Sequence, residues 1–333
     1  MSGVSYRKVV ADEADLRLDR WFKRHYPGLG HGRLEKMLRK GQIRVDGKRA
    51  KGNTRLETGQ EIRVPPMDGE TGNKVDKPKA TYRLSNEEAQ GLQERVLHID
   101  DHVIVIDKPV GLAVQGGSKT IKHLDAMLDA LRFGNDQTPR LVHRLDKDTS
   151  GVLVLARTAK VAAEMTKAFK SKAVRKLYWA AVTPSPKLSK GKINAPLIKA
   201  PGARGEKVVV DEEFGKRAVT YFQVVEQAGR KAAWLMMEPV TGRTHQLRVH
   251  CQVLETSIVG DGKYGGTDAF ALGKEIASQL HLHARGIRFP HPQIKNKTVE
   301  VFAPLPEHMK RTWSFLGFDE TEQEASDFSV FED

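Results

Sequence analysis

The chain has 333 residues, 39% of them apolar, with one cysteine and 55 Lys and Arg against 42 Asp and Glu, a net charge of +13. That length supports one large domain or two unequal ones with a well-buried core. The absence of any run of about 18 apolar residues excludes a membrane-crossing helix. Cys251 stands alone, which excludes an internal disulfide and leads us to expect a reducing cytoplasm. The first residues carry no apolar stretch of the kind a secretory signal needs.

The charge is concentrated: residues 14–66 hold 14 Lys/Arg and 6 Asp/Glu. In that block Leu18, Trp21, Phe22 and Tyr26 follow helical spacing up to a Pro-Gly pair at 27–28. A second helix is expected with Leu34, Met37 and Leu38 inward, Arg33, Lys36, Arg39 and Lys40 around the rest, and Gly41 as its stop. Gln42-Ile43-Arg44-Val45 alternates like a strand, Asp46-Gly47 suits a two-residue hairpin turn, and Glu61-Ile62-Arg63-Val64 reads as a further strand. A basic helix on so small a unit suits an anionic polymer such as RNA, whose phosphates it can neutralise. Residues 76–94 read as a linker. The last fifteen residues hold seven acids and no base, so 317–333 is expected to be a disordered acidic tail.

From 95 to 316 the pattern becomes many short strands with few helices. Val103–Ile106, Val152–Leu155, Leu177–Val182, Val219–Val225 and Ala233–Met237 read as strands. Val161, Met165 and Phe169, and again Leu247, Cys251 and Leu254, have helical spacing. Strands outnumber helices without regular alternation, so the expected class is α+β with a mixed, largely antiparallel sheet.

Neither a G-x-x-x-x-G-K-[S/T] nor a G-x-G-x-x-G loop is present, so no nucleotide cofactor is expected. Among twelve histidines, His281 and His283 would share a strand face, but His245 and His250 fall about 140° apart on a helix, and no metal set of four ligands assembles. The densest segment is Arg140-Leu-Val-His143-Arg144-Leu-Asp146-Lys147-Asp148-Thr149-Ser150-Gly151, a charged loop between apolar strands. Cations at 144 and 147 favour an ionised Asp146. Such a carboxylate can be a nucleophile, a general base, a metal ligand or a turn-forming residue.

His143-Arg-Leu-Asp-Lys-Asp-Thr-Ser-Gly151 resembles the H-R-L-D-x-x-T-S-G signature of the RluA-type pseudouridine synthases. Ile106–Gly111, Lys176–Ala180, Gly242–His250 and Leu282–Ala284 fit the same family in order, and residues 14–75 resemble the S4 RNA-binding domain. Leu38-Arg-Lys-Gly41, Ile43-Arg-Val45 and Val114–Ser118 are most similar to the branch acting on large-subunit (23S) ribosomal RNA, synthase C, although Gln115 stands where that branch usually has His.

The resemblance implies a pseudouridine synthase fold over 95–316, Asp146 as nucleophile, Arg248 as its ion-pair partner, Tyr178 packed on the target base and Arg144 on RNA. It also implies no cofactor, since substrate and product are isomers. Arg33, Lys36, Arg39, Lys40 and Arg44 become the expected RNA contacts of the S4-like block. The expected partner is ribosomal RNA, met by a cytoplasmic monomer. Two other readings compete: the same chemistry at another rRNA or tRNA site, which the S4-like block disfavours for small tRNA enzymes, and an RNA-binding assembly factor, which would not need Asp146, Tyr178 and Arg248 together.

Overall fold

The structure is a computed structural model that describes residues 3–66, 82–117, 120–202, 206–322 and 324–331. The chain divides into two compact units, residues 1–80 and 81–333.

In the first unit the strand Ser5–Lys8 (β1) leads into helices Leu18–His25 (α1) and His31–Arg39 (α2) and strands Arg44–Val45 (β2), Lys48–Arg49 (β3) and Glu61–Val64 (β4). The sheet order is β1-β4-β2-β3, with the pairs for which registers are given antiparallel. Leu18, Trp21 and Phe22 of α1 and Leu34, Met37 and Leu38 of α2 are buried together with Ile43, Val45, Ile62 and Val64, so both apolar faces meet one side of the sheet. Asp46 and Gly47 both have positive φ, 49° and 71°, as a type I′ hairpin turn demands. Glu13 is buried under α1 and accepts a hydrogen bond from the Trp21 indole at 2.9 Å. Burial alone would raise its pKa, but the hydrogen bonds from Trp21 and His25 outweigh that and lower it. The sheet of the first unit thus starts before residue 14, because β1 pairs with β4.

The second unit opens with helix Asn86–Gln93 (α3), capped by Ser85, whose hydroxyl accepts from the Glu88 amide. This helix lies inside the stretch expected to be linker; residues 76–81 of that stretch lie outside the described residues. Strands Val96–Ile99 (β5), Val103–Lys108 (β6), Arg140–Leu141 (β7) and Ser150–Ala156 (β8) follow, then helix Ala159–Lys170 (α4). Next come Arg175–Thr183 (β9), Lys190–Asn194 (β10), Leu197–Ala200 (β11), Lys207–Val210 (β12), Val219–Ala228 (β13) and Ala232–Pro239 (β14). Helix Gln246–Val253 (α5), strands Ser257–Ile258 (β15), Leu282–Pro290 (β16) and Thr298–Phe302 (β17), and helix Glu307–Leu316 (α6) complete the unit.

Eleven strands form one sheet whose main path is β10-β13-β14-β9-β16-β8-β6-β5, with β11 and β12 as a separate hairpin. The sheet is antiparallel except where β16 meets β8 in parallel, so the α+β, largely antiparallel class holds. The period of two explains its layers. On β9 and β14, Ala180, Val182, Ala233, Leu235 and Met237 face one core with Leu247 and Cys251 of α5. Their alternates Leu177, Trp179, Ala181, Trp234 and Met236 face the other, with Met309 and Trp313 of α6.

The acidic tail is not loose in the described residues. Phe318, Ala325 and Phe328 are buried in the second core, the Trp179 indole donates to the Ala325 carbonyl at 2.6 Å, and Arg175 donates to the Phe328 carbonyl. The apolar residues threaded among the acids carry this packing, which net charge alone did not reveal.

Three buried histidines are held neutral. His250 and His283 each face a backbone carbonyl with one ring nitrogen and a hydroxyl with the other (Ala195 and Thr220; Ala303 and Ser150), as does His281 with Gln279 and Thr312. Burial pushes them down to about 4, 3 and 4 respectively. The unfolded chain, with histidines near 6.5, therefore binds more protons below that pH. Stability is fully present above about pH 6.5 and is lost as pH falls toward about 4, at up to ~1.4 kcal/mol per pH unit for each histidine. Urea midpoints at pH 7.5, 6 and 5 should fall in that order; a flat series would mean these rings are not kept neutral.

Candidate active site

Asp146 sits in the turn that joins β7 to β8. The turn closes by a hydrogen bond from the Thr149 amide to the Asp146 carbonyl at 3.2 Å. Two residues of the Ile106–Gly111 stretch hold it from below. The fully buried ammonium of Lys108 donates to the carbonyls of Pro109, Leu112 and Lys147 at 2.8, 3.0 and 3.1 Å, and the Gly111 amide donates to Lys147 at 3.0 Å. Burial lowers Lys108 to about 8 against the opposing pull of Asp148, Asp107 and Asp146. Above the turn, Gly151 has φ +105°, and a Cβ there would lie 2.2 Å from the Ala284 carbonyl oxygen, so the strand can start beside β16 only with glycine. Ser150 is hydrogen-bonded to His283, so its hydroxyl shapes this junction.

The Asp146 carboxylate is 28% exposed and lies 3.9 Å from His245 Nε2. Tyr178, on β9 opposite Ala284 and Met237, packs against the core shared with α5 and against the core built on β6 and β8. Burial, and secondarily the Asp146 charge, pushes its phenol well above the usual range, so it is neutral. Arg144 is exposed, whereas its neighbour His143 stacks on Phe169 at 4.6 Å and accepts from the Val154 amide.

Arg248 does not pair with Asp146. Its guanidinium is bidentate to Asp261, with Nε to Oδ2 at 2.7 Å and Nη2 to Oδ1 at 2.6 Å, and it covers the Tyr264 ring at 4.9 Å. The reason is that the Asp261 side chain is only 1% exposed and already accepts from the amides of Lys263 and Tyr264. A carboxylate buried that deeply requires a planar cation. Asp146, which keeps partial access to water, does not. Burial would lower the Arg248 pKa, but the bonds and charge of Asp261, and after them the charge of Asp146, hold it above its ordinary value.

His245, Asp261, Tyr264 and Lys108 were not singled out as site residues from sequence. His245 and Lys108 stand inside the quoted family stretches, and that was the available signal. His281 and His283 are held in the structural hydrogen bonds described above, and among the described residues no cluster of three His, Cys, Asp or Glu is placed to hold a metal.

In the first unit, Arg33, Lys36, Arg39 and Lys40 are exposed on or just after α2. Arg44 donates to the carbonyls of Gly41 and Gly47, and Arg63 to Gln42, so both stitch the turn as well as adding charge. Tyr6, Gln42, Arg44, Glu61 and Arg63 line a pocket of about 550 Å³ there.

Residues 102–253 match the family described as RNA pseudouridylate synthase. Among solved structures, human RNA Pseudouridylate Synthase Domain Containing 4 is 29% identical with a TM-score of 0.58, over 69% of this chain and 96% of that one. Ribosomal large subunit pseudouridine synthase C of Vibrio cholerae serotype O1 is 34% identical over 312 residues, which is 92% of this chain and 95% of the relative. The Escherichia coli K12 protein of the same name is 33% identical over 310 residues, 91% and 93% of the two chains. The chain therefore belongs to the RNA pseudouridylate synthase family. It is an RNA pseudouridine synthase, an isomerase.

Proposed function

We propose that this enzyme converts uridines of large-subunit (23S) ribosomal RNA to pseudouridine, with Asp146 as its nucleophile, as a cytoplasmic monomer without a cofactor. The substrate reading is supported by the likeness to synthase C proteins over nine-tenths of both chains. The nucleophile reading is carried by one observation: a partly exposed carboxylate on a turn pinned through Lys108, with Tyr178, His245 and Arg248 in its electrostatic surroundings.

The reaction breaks the bond from uracil N1 to the ribose, turns the base and rejoins it through C5, which loses its proton while N1 gains one, so it needs an anionic oxygen and a water-poor pocket but no energy source. Asp146 supplies the oxygen. The neutral Tyr178 ring packs on the base without competing for protons. Arg144 takes a phosphate of the backbone displaced when the uridine is turned out of its stack. Mapping pseudouridines in ribosomal and transfer RNA from cells with and without the protein tests the substrate. Sites lost only from tRNA, or no lost site, would reject it.

The exposed cations Arg33, Lys36, Arg39 and Lys40, with Arg44, are proposed as RNA contacts of the first unit. Residues 1–80 carry 19 Lys/Arg against 11 Asp/Glu. Their removal should weaken rRNA binding and flatten its log–log salt dependence by about 0.7–0.9 for each phosphate that is no longer neutralised. Binding titrations across a salt series would read this directly; an unchanged slope would make α2 a solvated face only.

A further inference from the structure

His245 stands in a left-handed backbone conformation, φ 53° and ψ 21°, immediately before α5. A residue other than glycine is held there only when its surroundings dictate it, and such strain gathers at functional sites. The clamp is Gln246. Its Oε1 accepts from the Arg243 amide and the Thr241 hydroxyl, and its Nε2 donates to the Val219 carbonyl and Thr220.

The ring is oriented as firmly as the backbone. Nδ1 lies 2.7 Å from the Tyr264 hydroxyl, and that oxygen accepts from the Val208 amide at 3.2 Å, which leaves its hydrogen to point at Nδ1. With the hydroxyl donating to Nδ1, the ring proton sits on Nε2, the nitrogen that faces Asp146 Oδ2 at 3.9 Å, a tautomer that the nearby carboxylate favours. Burial keeps the ring below its ordinary pKa, with Arg248 and Lys263 acting the same way and Asp146 and Asp261 opposing. The donor facing Asp146 is thus a neutral one.

We propose that His245, aimed by Tyr264, is a positioning residue for Asp146: its Nε2–H holds one carboxylate oxygen and leaves the other directed at the target uridine. This rests on Asp146 being the nucleophile. A neutral donor suits the task, because it fixes direction without cancelling the charge on which nucleophilicity depends. The Arg248 charge is compensated by Asp261. The gap of 3.9 Å is of the kind that tightens to a hydrogen bond once substrate fills a cleft.

The test uses the full chain and a large-subunit ribosomal RNA transcript, with saturated single-turnover rates against pH and binding measured separately. His245→Asn keeps a residue tolerant of left-handed backbone but falls short of Asp146. It should lower the saturated rate ~10-fold or more, as loss of a hydrogen bond to a charged group does, with RNA affinity unchanged. The acidic limb of the rate profile should move to higher pH, because Asp146 loses a donor that favours its charged form; Lys108, Tyr178, Tyr264 and Arg248, which also surround it, are unaltered. His245→Gln, whose amide reaches where Nε2 was, should recover most of the rate. Tyr264→Phe should lower the rate alone and add nothing to His245→Asn.

A wild-type rate and pH profile in His245→Asn, with Asp146→Asn inactive, would overturn this inference alone. Activity in Asp146→Asn would overturn the nucleophile reading beneath it. Affinity falling in step with rate would make His245 an RNA contact and overturn the positioning role. Should His245→Asn not fold, Tyr264→Phe decides: an unchanged rate and profile there would equally reject it.

Discussion

Asp146→Asn should eliminate pseudouridine formation, lowering the single-turnover rate by at least ~1,000-fold, about 4 kcal/mol of transition-state stabilisation, while folding and RNA binding remain. Among the described residues the carboxylate makes no hydrogen bond, and His245 lies 3.9 Å from it. The turn itself is closed by the Asp146 backbone carbonyl and by the Lys108 and Gly111 contacts to Lys147. An amide of nearly the same shape therefore disturbs neither packing nor hydrogen bonds, but it cannot supply an anionic oxygen. The measurement is release of label from C5 of uridine in a ribosomal RNA transcript, alongside a binding titration. Turnover by Asp146→Asn near the wild-type rate would remove Asp146 from the chemistry and return it to its alternative, a turn-forming aspartate.

Arg248→Met should cost about 3–5 kcal/mol of stability, the loss expected when one partner of a buried ion pair is removed. Asp261 would be left with two backbone amides and no counter-charge, in a side chain 1% exposed to water. Replacing both partners at once, Arg248→Met with Asp261→Asn, should recover a large part of that loss, since no uncompensated charge remains and the Asn oxygen still accepts from the Lys263 and Tyr264 amides. Urea denaturation of the two single variants and the double variant completes the cycle. Had Arg248 paired with Asp146, as expected from the family resemblance, the single substitution would have struck activity and spared stability. A stable, inactive Arg248→Met would therefore count against the Asp261 pair as the arginine's main duty.

Short runs rich in apolar and β-branched residues are enough to mark β8, β9, β13 and β14, because a strand covered on both faces takes apolar side chains at consecutive positions. Helical spacing marks α1, α2, α4 and α5. The Arg248 partner was not legible. Pairing depends on which carboxylate is buried, and nothing local to Asp261 in the sequence announces that its side chain is enclosed by its own loop and by α5. His245 was hidden differently: helical periodicity placed it on a helix wheel with His250, whereas it stands before α5 in a conformation no periodicity describes. The tail was misread because composition averages over residues, and Phe318, Ala325 and Phe328 act singly.

That tail also constrains how the protein can be made. The Trp179 indole, in the middle of the large sheet, finds its hydrogen-bond acceptor in Ala325, 146 residues further along the chain. Phe328, which closes the same core, is synthesised long after the strands it covers. Until then this face of the sheet, where Trp179 meets Trp234, lacks part of its cover, and Trp313 of α6 reaches Trp234 only once that late helix is made. Contacts this distant in sequence form late and leave apolar surface open to association in the interval. The enzyme's yield in a cell should thus depend on what shields a nascent tryptophan cluster, and a chain cut short before Phe318 would make that exposure permanent.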